Sequence, residues 1–183
     1  VENKPGAAGT VGAGAVVAAP ADGYTLLMGT ISNVALAPSF YALKYDPVKS
    51  FTPIGMVASV PLVLVTAPSF QVNDIKQFTE KVKKSNQLNY ASPGIGGPQH
   101  LAGVMLQRQL GTQLLHVPYK SGGAVTTAVL SGDVQFAFVG IPAAASLVSA
   151  KKLVALMVTS AKRSVALPEI PSATEAGLRG FEI

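Results

Sequence analysis

Two histidines, His100 and His116, are the side chains best placed to move protons near neutral pH. His116 lies inside the apolar run Leu114-Leu115-His116-Val117 and reads as a structural histidine on a strand. His100 follows Gly96-Gly97-Pro98-Gln99, close to a helix start, where it either faces a ligand or caps and packs. There is no cysteine, which removes thiolate nucleophiles, thiolate metal ligands and disulfides. No Gly-x-Ser-x-Gly elbow occurs, no carboxylate pair has acid–base spacing, and no His/Asp/Glu cluster suits a metal. The expectation is a protein with no catalytic residues, no metal and no cofactor.

Glycine-rich connections carry the stronger signal. Ala91-Ser92-Pro93-Gly94-Ile95-Gly96-Gly97 and Tyr119-Lys120-Ser121-Gly122-Gly123 each join a strand to a helix. In an open α/β sheet such loops lie at the carboxyl ends of parallel strands, where ligands bind. Helix N-termini there offer free N–H groups and a positive dipole end to a carboxylate or phosphate. Gly94, Gly96, Gly97 and Gly122 would let a ligand approach the backbone, and Ser92 and Ser121 would add hydroxyls. Ordinary β–α turns are the alternative reading. The run Gly6 to Gly12 resembles a dinucleotide loop only loosely, since no complete strand precedes it. Close helix packing accounts for its small residues.

The elements that would position these loops alternate between strand and helix. Val1–Gly6 reads as a strand end entering a turn rather than a signal peptide. A small-residue helix is expected over Ala8–Ala19, a strand over Tyr24–Gly29, and a helix shortened by Pro38 over Asn33–Tyr41. Ile54–Thr66 is β-rich, with Pro61 dividing it. Asn73 is the expected cap of a helix over Asp74–Ser85, whose Ile75, Phe78 and Val82 share one face. Strands follow at Leu88–Ala91, Leu114–Val117, Val134–Val139 and Leu153–Thr159. Helices are expected at Gly97–Leu110, Gly122–Leu130 and Pro142–Ser149. This order predicts a mainly parallel sheet covered by helices.

Composition fits that class. The chain has 183 residues, 49% hydrophobic and 13% charged, enough apolar content for a core and too little charge for disorder. Mean hydropathy is +0.40, yet the longest apolar stretch, from Ile54 to Pro68, is shorter than a membrane helix and interrupted by Pro61. Residues 63–154 hold eight basic and three acidic side chains, whereas the flanks balance. A basic middle steers anions. Nucleic acid is not the expected partner, because only Lys81-Val82-Lys83-Lys84 clusters, and it reads as a solvated helix face.

An ordered set of segments resembles one family. They are Glu2–Gly12, Ala21-Asp22-Gly23-Tyr24-Thr25-Leu26-Leu27, Tyr45-Asp46-Pro47, Leu88-Asn89-Tyr90-Ala91-Ser92, His100-Leu101-Ala102-Gly103 and His116-Val117-Pro118-Tyr119-Lys120. Thr159–Ser164, Pro168–Pro171 and Glu175-Ala176-Gly177 continue the match to the end of the chain. The family is that of the tripartite tricarboxylate transporter receptors, the Bug-type periplasmic solute-binding proteins. The resemblance implies a two-lobe, type II periplasmic-binding-protein-like α/β fold, with mainly parallel sheets flanked by helices. It implies residues 1–62 and 155–183 in lobe one and 63–154 in lobe two. Lobe one would be incomplete, lacking the family's first strand before Val1 and its closing strands after Ile183.

The implied function is capture of a small carboxylate in an interlobe cleft and delivery to a membrane permease, by a periplasmic, monomeric protein that is not an enzyme. Residue by residue, Ser92, Gly94, Gly96, Gly97 and His100 match one lobe-two ligand loop. Tyr119, Lys120, Ser121 and Gly122 match a second, and Thr30 and Ser32 match a lobe-one loop. Lys120 would pair with a carboxylate or stand in solvent, and Tyr119 would touch ligand or pack beside it. Two departures bear on the ligand. Phe138-Val139-Gly140-Ile141-Pro142 lacks the acid that members often carry there, which disfavours an amino-acid ligand. Gly97-Pro98-Gln99 replaces a hydroxyl-rich approach to the histidine. The rival functions are a ligand-sensing or interaction module and, more remotely, a small α/β hydrolase or transferase using Ser92 or His100.

Overall fold

The computed structural model describes residues 1–4, 6–85 and 87–183. Contacts divide the chain into two compact units, Val1–Ala58 with Gly96–Pro98, and Ser59–Ile95 with Gln99–Ile183.

In the first unit the small-residue segment forms helix α1, Thr10–Val17, entered through a tight turn at Ala7–Gly9. The helix expected over 33–41 forms in distorted pieces, a π-helical segment at Ser32–Leu36 followed by a 3₁₀ turn at Ala37–Ser39 with Pro38 at its start. The strand expected at Tyr24–Gly29 does not form, and neither does one over 54–61. Tyr24, Leu26, Met28, Ile54, Met56 and Val57 are all exposed. A strand needs a neighbour to bond, and among the described residues none pairs with these segments. The strand end expected over Val1–Gly6 includes Pro5, which lies outside the described residues.

The second unit is built on a sheet. In chain order its elements are β1 Leu62–Thr66, α2 Ile75–Lys84, β2 Leu88–Ser92, α3 Pro98–Leu110, β3 Leu114–Pro118, α4 Gly122–Ser131, β4 Phe136–Gly140, α5 Ile141–Ser149 and β5 Val154–Val158. The strands lie in the order β3-β2-β4-β1-β5. β2 is parallel to β3 and β4, while β1 runs antiparallel to β4 and β5. The sheet is therefore mixed, with β1 opposed to the direction of the others. All five residues of β1 are buried, so both faces of the sheet are covered. On one face Leu62, Leu64, Tyr90, Phe136 and Phe138 pack with Phe78 and Val82 of α2 and Leu106 of α3. On the other, Val63, Val65, Ala91 and Ala137 pack with Val125 and Val129 of α4 and Ala144 of α5.

Helix α2 shows how local chemistry sets an element. Asp74, not Asn73, caps it: its carboxylate accepts from Gln77 N at 2.8 Å, and Gln77 Oε1 accepts in return from Asn73 N at 2.9 Å. This is a shifted version of the reciprocal capping box. In the basic run that follows, Lys81 lies over the Phe70 ring, 4.4 Å from its centroid, while Lys83 and Lys84 remain in solvent.

Residues 155–183, expected in lobe one, pack in the second unit. β5 pairs along β1, Phe181 is fully buried against Phe138, and Thr159 Oγ1 accepts from Leu62 N and donates to Ile183 O. Arg163 holds Glu175 through Nε at 3.0 Å, and Glu175 also accepts from Ser172 N at 2.8 Å. Those hydrogen bonds, that from Arg163 foremost, hold the Glu175 carboxyl below its usual range.

Candidate functional site

Because β2, β3 and β4 run parallel, their carboxyl ends share one edge of the sheet. Three helices begin there. β4 passes directly into α5 at Gly140-Ile141-Pro142, with no intervening loop and no acid. β2 and β3 enter α3 and α4 through the two glycine-containing connections, which a hydrogen bond from Tyr119 N to Ser92 O (2.8 Å) ties together.

The β2–α3 connection is ordered from within. Ser92 is fully buried, and its hydroxyl donates to Gly94 O at 2.8 Å while Gly94 N lies 3.2 Å from it. The chain then turns with positive φ at Gly94 and Gly96, +143° and +81°, a conformation that favours glycine. The Ser92 hydroxyl, expected to face a ligand, is thus committed to the turn. Ser92 Oγ also stands 2.6 Å from His116 Nε2. The β2–β3 register explains this: Tyr90 and His116 are partners, and Ser92 lies two residues on, on the same face.

A small aromatic stack surrounds that bond. The His116 ring lies 4.2 Å from His100 and 5.0 Å from Tyr90, which in turn stacks on Phe136 at 5.7 Å. His100 is in the first turn of α3, and its carbonyl accepts from Tyr90 Oη at 3.4 Å. A Cβ on Gly103, one turn later, would come 2.0 Å from the Tyr90 ring. The glycine is what allows α3 to lie this close to β2. Burial pushes the Tyr90 hydroxyl up to about 12 and the His100 imidazole down. Burial, with repulsion from His100 second, pushes His116 down to about 4. Both imidazoles are therefore neutral at pH 7.

The β3–α4 connection is simpler. Ser121 caps α4, its Oγ accepting from Ala124 N at 3.2 Å. Gly122 and Gly123 are exposed, with nothing within 4 Å of a Cβ on Gly122. Their N–H groups belong to the first turn, which has no intrahelical acceptors. Lys120 is exposed, and Tyr119 is half-buried against the apolar cluster that includes Val125.

Of the other expected site residues, Thr30 and Ser32 belong to the first unit, and Gly96 and Gly97 group with it. There Asn33, which the sequence did not single out, organises the loop. It is buried, its Oδ1 accepts from Thr30 N at 2.8 Å, and its carbonyl accepts from Tyr45 Oη at 2.9 Å. Its one signal was a polar residue inside an apolar helical pattern. An open depression of the first unit, lined by Tyr41, Lys44, Tyr45 and Asp46 among others, contains none of the expected site residues.

The Ser92–His116 pair has the separation of a nucleophile and its base, but not the rest. Ser92 is sealed from solvent, its proton is directed to Gly94 O, and no carboxylate bonds His116 among the described residues. Among the described residues no group of three metal-ligating side chains occurs either. The arrangement offers the backbone N–H groups of Gly122 and Gly123 at the start of α4, and two neutral imidazoles packed on each other.

Comparison with known proteins decides the family. All of residues 1–183 match the family described as the tripartite tricarboxylate transporter family receptor. The chain belongs to that family. A protein of Pseudomonas sp. (strain P51) is 32% identical over 185 residues, which are 100% of this chain and 55% of the relative. Several chains of known structure superpose closely. The periplasmic binding protein BugD is 38% identical, with a TM-score of 0.86 over 100% of this chain and 61% of its own. MatC from Rhodopseudomonas palustris, solved with bound malate, is 30% identical, with a TM-score of 0.84 over 97% of this chain and 61% of its own. A second R. palustris protein, solved with adipate, is 29% identical, with a TM-score of 0.87 over 100% of this chain and 62% of its own. The fold is thus that of a periplasmic binding protein, and the chain spans about half the length of the curated relatives it matches.

Proposed function

We propose that this receptor-family chain binds a small di- or tricarboxylate outside the cytoplasm, in the periplasm, and delivers it to the membrane permease of a tripartite transporter, without catalysing a reaction. The observation that carries the reading is the start of α4 at Ser121–Gly123, which follows the carboxyl end of the parallel strand β3 and presents the exposed Gly122 and Gly123. The N–H groups and positive dipole end of a helix start suit a carboxylate. The excess of basic side chains over residues 63–154 attracts such a ligand. The acid-free Gly140-Ile141-Pro142 junction leaves an amine without a counter-charge. Malate and adipate, bound to two similar proteins, define the size class to try first.

The test is thermal shift of the 183-residue chain against malate, adipate, citrate and matched amines, followed by calorimetry. A ligand at 100 times its Kd adds about 2.7 kcal/mol of stability. A shift with one or more carboxylates and none with the amines is expected. No shift with any carboxylate, in this chain or in a protein of the relatives' full length, overturns the reading.

A further inference from the structure

We propose that His116 is a positioning residue, which holds the Ser92–Gly94 turn at the end of β2 by donating an Nε2–H hydrogen bond to the buried Ser92 hydroxyl. The inference deepens the receptor reading, on which its ligand-binding consequence rests.

The argument is a count of protons around one oxygen. Ser92 Oγ has three polar neighbours: Gly94 O at 2.8 Å, Gly94 N at 3.2 Å and His116 Nε2 at 2.6 Å. The hydroxyl carries a single hydrogen. Gly94 O is an acceptor only, so that hydrogen goes to it. The two nitrogens must then both donate, and His116 Nε2 must bear its hydrogen. Among the described residues no other donor is recorded at this oxygen to replace the lost bond if His116 has the other tautomer, and a 2.6 Å approach between two acceptors would be repulsive. Burial keeps the ring neutral at pH 7, so it has one N–H to place, and the Ser92 oxygen takes it.

The contact crosses from β3 to the end of β2, so it fixes the first residue of the turn to the neighbouring strand. From there Gly94 and Gly96 carry the chain into α3. A side chain that the apolar strand pattern marks as structural therefore sets where the Gly94 backbone stands. His116 does this through Ser92, as a donor of a hydrogen bond and without a charge.

The test is long-range ¹⁵N–¹H correlation NMR on the histidine-labelled chain, with amide hydrogen exchange at Gly94. The expected result is a neutral His116 with protonated Nε2 and bare Nδ1 from pH 5.5 to 8. In His116→Phe, exchange at Gly94 N–H should accelerate at least tenfold. In His116→Gln, whose amide N–H can still donate, it should stay within about threefold of the parent. The Phe effect should vanish in a Ser92→Ala background, as a double-mutant cycle requires. A protonated Nδ1, a His116 titrating near the ordinary 6.5, or equal exchange in the Phe and Gln variants overturns the proposal. Malate calorimetry on the same variants reads the consequence: Kd at least tenfold weaker for Phe and near parental for Gln. A parent that binds no carboxylate while showing the Nε2–H tautomer and protected Gly94 condemns the receptor reading and leaves the positioning role standing.

Discussion

The β2–α3 and β3–α4 connections make the same step, from a parallel strand end to a helix start, by different means. The first is closed by a neighbour: His116 reaches Ser92 from the adjacent strand, and Tyr90 wedges against α3 at Gly103. The second is closed by itself, with Ser121 capping its own helix and open space around Gly122. A site edge can thus be rigid where it is keyed into the core and adjustable where it is capped locally. Changes at the first should spread into the sheet, and changes at the second should stay where they are made.

The largest contrast should come from the glycines. Gly103→Ala puts a methyl 2.0 Å from the Tyr90 Cε2, and Tyr90 is itself packed on His116 and Phe136. The ring has nowhere to go, and overpacking of this kind costs about 3 kcal/mol. Gly123→Ala meets only Ser121 Oγ at 3.9 Å and should stabilise slightly, by ~0.5 kcal/mol, through helix propensity. Urea unfolding of both variants measures the pair. Similar costs at the two sites would break the distinction between a keyed and a self-closed connection.

Ser92→Ala should come next. It leaves Gly94 O, Gly94 N–H and the His116 N–H without their common partner, at a cost of about 2 kcal/mol. The same urea titrations read it. Ser92→Ala at less than ~0.5 kcal/mol would mean that water or a rearranged turn replaces the hydroxyl, and the first connection would be no more keyed than the second.

Much of this contrast was legible one strand or helix at a time. The face Ile75, Phe78, Val82 predicted α2, and Phe78 and Val82 are indeed buried. The two glycine connections were recognised from their composition, and the acid-free end of β4 as a departure from the family's pattern. What could not be read was pairing. Tyr24–Gly29 has a strand's sequence, but strand formation is a property of two segments, and this one has no described partner. The reversal of β1 within the sheet left no mark in an apolar run buried on both faces. His116 was read as structural from its apolar flanks. Its bond to Ser92 depends on the β2–β3 register, which those flanks do not encode. Asn33 was hidden for a related reason: its partners, Thr30 and Tyr45, are fixed by turns rather than by any period.

Acid should find the keyed connection before the capped one. The folded protein holds His116 at about 4, below its ordinary 6.5. Between those values the unfolded chain binds the proton and the folded chain does not, so stability rises with pH there. It should be level above about pH 6.5, fall as the pH drops toward 4, and flatten below. The half-exposed ring and solvent screening limit the loss to about 1 kcal/mol, or roughly 3 °C in Tm for a chain of this size. Differential scanning calorimetry from pH 7.5 to 4 on parent and His116→Gln isolates it. A slope that is identical in the two proteins would move its origin away from the histidine pair.

The smallest effect tests the self-closed connection on its own terms. Ser121→Ala removes the side-chain acceptor for Ala124 N, and loss of a helix cap costs about 0.5–1 kcal/mol. Asp74→Ala on α2 is the natural control, because Asp74 caps with the same geometry through Gln77 N but sits at a different element. The two stability losses should be alike. Only Ser121→Ala should also speed exchange at Ala124 N–H, and it should leave Gly94 unmoved. Since Tyr119 N bonds Ser92 O, a disturbance could in principle cross from one connection to the other. Faster Gly94 exchange in Ser121→Ala would show that it does, and the two connections would then form one cooperative edge.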